Sequence, residues 1–118
     1  MPQYMLLIKS GEYSTEMSAE QAQKIVEKYI AFARKLRAEN RYLAGDELAS
    51  SGRMLAAKNG KIVDGPFTET KESIGGYFLI SADSYDHAVA IARDCPVFDR
   101  GGELEIREIV EHSGTATA

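Results

Sequence analysis

Asp64 stands directly before Gly65-Pro66-Phe67, and the next residues add Glu69, Lys71 and Glu72. A carboxylate at such a corner has two uses. It can accept backbone N–H groups of the following turn, as Asp does in Asx turns. At the mouth of an apolar cleft, where desolvation favours its neutral form, it can instead exchange protons with a substrate. The two uses oppose each other, because backbone donors hold the carboxylate in its charged form. Glu72 supplies the second carboxylate that an acid–base pair would need. Glu69 and Lys71 fall on one side of an extended segment and would hold a polar ligand at a cleft rim, or else form an ordinary solvated charge run. Phe67 either anchors the loop on the core or forms a ligand-facing wall.

Other reactive types are scarce. The sequence has two His, at 87 and 112, and one Cys, at 95. That set makes neither a disulfide framework nor a first-row metal site, and we expect no metal and no cofactor. Cys95 lies on an apolar helical face before Pro96 and reads as a small core residue. His87 has Ser84, Ala90 and Ile91 at helical neighbour positions, and so no ligand partner. Arg34, Arg37 and Arg41 form a basic stripe whose default is solvated surface, with an anionic partner as the alternative. Gly75-Gly76 is not a phosphate loop, since the third glycine and a following helix are missing.

The elements that must position these groups follow from periodicity. Tyr4 to Ile8 and Gly76 to Ile80 are strands apolar on both sides, and so central. Ser18 and Gln21 form a capping box that opens a helix running to about Asn40, with Ala22, Ile25, Val26, Tyr29, Phe32, Ala33 and Leu36 on its apolar face. Tyr42 to Ala49 is a strand broken at Gly45. Asn59-Gly60 between Arg53–Lys58 and Lys61–Asp64 predicts a hairpin with a type I′ turn. Asp83 or Ser84 caps a second helix that buries Tyr85, Ala88, Val89, Ala92 and Cys95 and stops at Pro96. The last strand, Glu103 to Val110, alternates Leu104 and Ile106 with charged residues and belongs toward an edge. This order is an α+β sandwich of the split βαβ kind with an extra hairpin.

The 118 residues carry 14 Lys and Arg against 18 Asp and Glu, a net charge of −4. At 44% hydrophobic and 27% charged, the composition is that of a globular domain. We expect one domain over residues 1–110 and a disordered tail over 111–118. The acidic balance argues against direct nucleic-acid binding. No apolar run is long enough to cross a membrane or act as a signal peptide, so the sequence reads as cytoplasmic. If both helices cover one sheet face, Met5, Leu7 and one side of Tyr77 to Ile80 stay on the other. A face carrying several hundred Å² of apolar surface needs a cover, and a second copy is the economical one. We therefore expect a homodimer.

The run Asp64-Gly65-Pro66-Phe67-Thr68-Glu69-Thr70-Lys71-Glu72, followed by Gly75-Gly76-Tyr77, resembles the signature of DGPF-type proteins of the YCII-related family. Tyr4-Met5-Leu6-Leu7-Ile8 and Glu103-Leu104-Glu105-Ile106-Arg107 are similar to that family's first and last strands. The resemblance implies a ferredoxin-like fold assembled as a dimeric α/β barrel, and a link in some members to sigma-factor regulation. It also implies an acid–base pair of His and Asp in enzyme-like members. Here Asp64 is present, but no His occurs between Met1 and Tyr85. The leading functional reading is a small-molecule-binding protein whose cleft is lined by Asp64, Gly65, Pro66, Phe67, Glu69, Lys71 and Tyr77. One alternative is an enzyme using Asp64, with Glu72, as general acid–base. The other is a protein-interaction module tied to transcription.

Overall fold

The computed structural model describes residues 1–9, 17–65 and 74–112. Among these described residues, six strands, two α-helices and one 3₁₀ turn follow in the order β1 (Gln3–Lys9), α1 (Ala19–Ala38), β2 (Tyr42–Glu47), β3 (Met54–Lys58), β4 (Lys61–Gly65), β5 (Gly76–Ser81), α2 (Tyr85–Ala92), the 3₁₀ turn Pro96–Arg100, and β6 (Glu103–Glu108). β2, β5, β1 and β6, in that spatial order, form an antiparallel four-stranded sheet, and β3 and β4 form a separate two-stranded ribbon. The two strands apolar on both sides, β1 and β5, are the central ones, and β6 is an edge. This is the ferredoxin-like split βαβ arrangement with an added hairpin.

Alternation along β1 explains the layering. Tyr4, Leu6 and Ile8 are buried beneath the helices, whereas Gln3, Met5, Leu7 and Lys9 are half-buried on the opposite face. Phe78 and Ile80 of β5 join the buried set, with Leu104 and Ile106 of β6 packed against it. From above, α1 delivers Phe32 and Leu36, and α2 delivers Ala88 and Ala92. Phe78 is the hub: Phe32 meets it edge-on at 5.2 Å between centroids, Tyr42 edge-on at 6.3 Å, and Tyr29 stacks at 6.4 Å.

The ends of α1 are set by local chemistry. Ser18 Oγ accepts from the Gln21 N–H at 3.1 Å, and Gln21 Oε1 accepts from the Ser18 N–H at 3.0 Å. At the other end Asn40 turns left-handed at φ 58°, the Asn40 N–H donates to Arg37 O, and the Arg41 N–H donates to Leu36 O. That is a Schellman stop with Asn in the left-handed place, so the helix ends at Ala38. Asn59 and Gly60 have φ of 50° and 78°, as a type I′ turn requires.

Several expectations shift. β2 continues through Gly45, because the missing side chain is what lets Phe78 approach: a Cβ there would lie 2.7 Å from the Phe78 ring. Val26 is exposed, since α1 lies on the sheet chiefly through Tyr29, Phe32, Ala33 and Leu36. α2 stops at Ala92, before Pro96, which opens the 3₁₀ turn. Tyr85 is exposed rather than core; its ring meets Tyr4 edge-on at 4.9 Å and its hydroxyl accepts from the Glu108 N–H. No helix among the described residues is long and apolar enough to cross a membrane.

Candidate functional site

Among the described residues both helices lie on one side of the sheet, and the half-buried Met5, Leu7, Tyr77 and Leu79 make the other side an open face. Register places Arg107, Met5, Leu79 and Ala44 in one row across it, and Glu105, Leu7, Tyr77 and Asp46 in the next. The centre is therefore apolar and the two margins are charged. At the β2 margin the Tyr77 hydroxyl donates to Asp46 Oδ2 at 3.3 Å. Partial burial, then the Asp46 carboxylate, raises the Tyr77 phenol above its ordinary range, so it stays a proton donor at neutral pH. At the β6 margin Glu105 is held from both sides, by Lys9 Nζ at 2.8 Å and Arg107 Nη1 at 3.1 Å. These two hydrogen bonds lower the Glu105 carboxyl below its usual range. An apolar floor with a few convergent polar groups at its edges is what a small-molecule site needs.

Asp64 lies elsewhere, near the end of β4 in the hairpin. It sits opposite Leu55 in the ladder. Arg53, just before β3, reaches it diagonally: Nη2 forms an ion pair with Oδ2, and Nε donates to Oδ1 at 3.4 Å. The hydrogen bond raises the Arg53 guanidinium above its ordinary range. Both oxygens of the Asp64 carboxylate are thus engaged by one guanidinium, the bidentate geometry in which Arg recognises carboxylates. The ladder also shows how Arg53 could have been found in the sequence, because a two-residue Asn-Gly turn fixes which residues face each other. Asp46 offered no such signal. Its pairing with Tyr77 depends on a register shift between Tyr42 and Ala44.

Of the expected site residues, then, Tyr77 belongs to the open face, and Asp64 and Gly65 to the hairpin. Pro66, Phe67, Glu69, Lys71 and Glu72 lie outside the described residues. Cys95 is buried, and burial pushes its thiol up to about 11, which leaves it inert. His87 does have a partner, since its Nδ1 accepts from the Asp83 N–H at 3.0 Å. Two members of the arginine stripe are also engaged: Arg37 stacks on the Tyr42 ring at 4.2 Å, and Arg41 pairs with Asp83 at 3.4 Å. Among the described residues no three His, Cys, Asp or Glu side chains are grouped as a metal would need.

Comparison with known proteins bears on this geometry in three ways. The YCII-related domain matches residues 2–113. A Rhizobium meliloti (strain 1021) protein described as uncharacterized is 52% identical over 33 residues, which is 28% of this chain and 27% of that protein, so the match spans about a quarter of the relative's length. The 5-chloro-2-hydroxyhydroquinone dehydrochlorinase TftG of Burkholderia phenoliruptrix AC1100, solved with 2,5-dihydroxybenzoquinone, superposes with a TM-score of 0.51 at 16% identity, over 93% of this chain and 95% of that one. At that identity the likeness is one of fold.

Proposed function

The chain belongs to the YCII-related domain family, and from that premise we propose that it is a DGPF-type protein that binds a small molecule on the open face of its sheet, within a homodimer. The observation that carries this reading is the face itself: Met5, Leu7 and Leu79 in the middle, the Tyr77–Asp46 pair on one side, Glu105 with Lys9 and Arg107 on the other. A ligand with a flat apolar body and hydroxyl or carboxylate substituents matches that pattern, the apolar part displacing water and the substituents meeting Tyr77 and the cations. The dihydroxybenzoquinone bound by the dehydrochlorinase of the same fold is a molecule of this kind. Asp64, Gly65, Pro66, Phe67, Glu69 and Lys71 complete the set of ligand-binding residues in this reading, and a second copy covers the face.

A thermal-shift screen of the full chain against hydroxylated aromatic compounds and small carboxylic acids tests this. A ligand at a hundred times its Kd stabilises by about 2.7 kcal/mol, several degrees in Tm for a domain of this size. The reading expects at least one compound to raise Tm, and Tyr77→Phe or Asp64→Asn to diminish the rise. Consumption of that compound, abolished in Asp64→Asn, would make the cleft an active site with Asp64 and Glu72 as its acid–base candidates. The absence of any shift, or a shift that neither substitution alters, rejects the reading.

A further inference from the structure

Resting on the dimer proposed above, we infer that the β3–β4 hairpin is an arm that packs on the body of a second copy and carries Arg53 and Asp64 to the rim of the partner's cleft. Both faces of the hairpin are apolar and wet. Leu55, Ala57 and Ile62 share one face with Asp64, and Met54, Ala56 and Val63 share the other. Leu55 is 67% exposed and Ile62 77%, while Met54 and Val63 are 54% and 40% exposed. A two-stranded ribbon with no cover is marginal in water, and contiguous apolar surface of this kind marks an interface.

Charge identifies the occupant. Residues 53–65 contain Arg53, Lys58 and Lys61 against Asp64, a net +2; the whole chain is −4, so the remainder is −6. Lys58 and Lys61 flank the turn at the tip. The four strands of the sheet carry five acidic residues, Asp46 and Glu47 on β2 and Glu103, Glu105 and Glu108 on β6, against Lys9 on β1 and Arg107 on β6, a net −3. A cationic arm and an acidic body on one chain are complementary between two copies, and a two-fold axis satisfies both arms at once. Position agrees with charge. The hairpin leaves the sheet after Glu47 and returns before Gly76, and these two residues are ladder partners. The arm is therefore rooted beside the Asp46–Tyr77 row, at the edge of the face that the second copy covers. The cleft is then composite, with Tyr77 and Asp46 from one protomer and Arg53 and Asp64 from the other.

Isotope-filtered NMR on an equal mixture of labelled and unlabelled full-length chains tests the arm directly, with sedimentation on the same sample giving the mass. The inference expects a two-chain mass and intermolecular contacts from the Leu55 and Ile62 methyl groups. A two-chain mass in which those methyls show no contact with the other copy overturns the arm and leaves the sheet-face dimer standing. A single-chain mass overturns both.

Discussion

Glu105 lies between Lys9 and Arg107 on the open face, and both cations favour its charged form. Its folded-state pKa is below the ordinary value of 4.5. Such a group contributes stability above that ordinary value and loses the contribution as pH falls through the folded one. Glu105→Gln removes this linkage, so its Tm should decline less steeply than that of the unaltered chain as pH is lowered from about 5 to about 3. Equal slopes in the two melting series would show that the two cations do not act on Glu105 in solution. Cys95 makes a second test at this scale. With its thiol buried and pushed up to about 11, it should react with a disulfide reagent at pH 8 only when the chain opens, far more slowly than in denaturant. Rapid labelling of the native protein would contradict its place in the core. Residue chemistry was partly legible in the sequence. Cys95 is buried as expected, although α2 ends before it, and Tyr77 lies on the face that alternation gives it. Asp46 meets Tyr77 only through strand pairing, and Glu105 adds the cross-strand Lys9 to Arg107 on its own strand.

At the scale of elements, local signals were strong wherever a rule is short-range. Ser18 and Gln21 specify the start of α1, and Asn59-Gly60 specifies the hairpin, because each needs only a few adjacent residues. Ser18→Ala should cost about 1 kcal/mol of stability in chemical denaturation, with the fold unchanged. Gly45 was harder to read. It looks like a strand breaker, yet the strand needs it, since an added Cβ meets the central Phe78 ring. Gly45→Ala should therefore destabilise by about 1–3 kcal/mol, the usual cost of overpacking a core. A neutral result would mean that Phe78 has another rotamer available. The same distinction explains Val26 and Tyr85. Helical periodicity names a stripe, but the crossing of helix over sheet decides how much of that stripe is covered.

The whole molecule measures 48 × 47 × 20 Å. Its thin dimension is that of one sheet and one helical layer, which stack about 10 Å apart. Its radius of gyration, 16.5 Å, exceeds the roughly 13 Å of a compact domain of this length. Among the described residues, both values fit a chain with helices on one side of its sheet and a hairpin that forms a ribbon of its own. That an apolar face would be left over could be read from the double patterning of β1 and β5. That the hairpin would stand away from the sheet could not, because its own alternation is satisfied by a cover of any origin. Sedimentation equilibrium of the full chain at micromolar concentration tests the central claim most directly. The account predicts a particle of twice the 13.0 kDa chain mass, reduced to one chain by Leu79→Arg in the middle of the open face. A 13.0 kDa particle for the unaltered protein across the concentration range would contradict it.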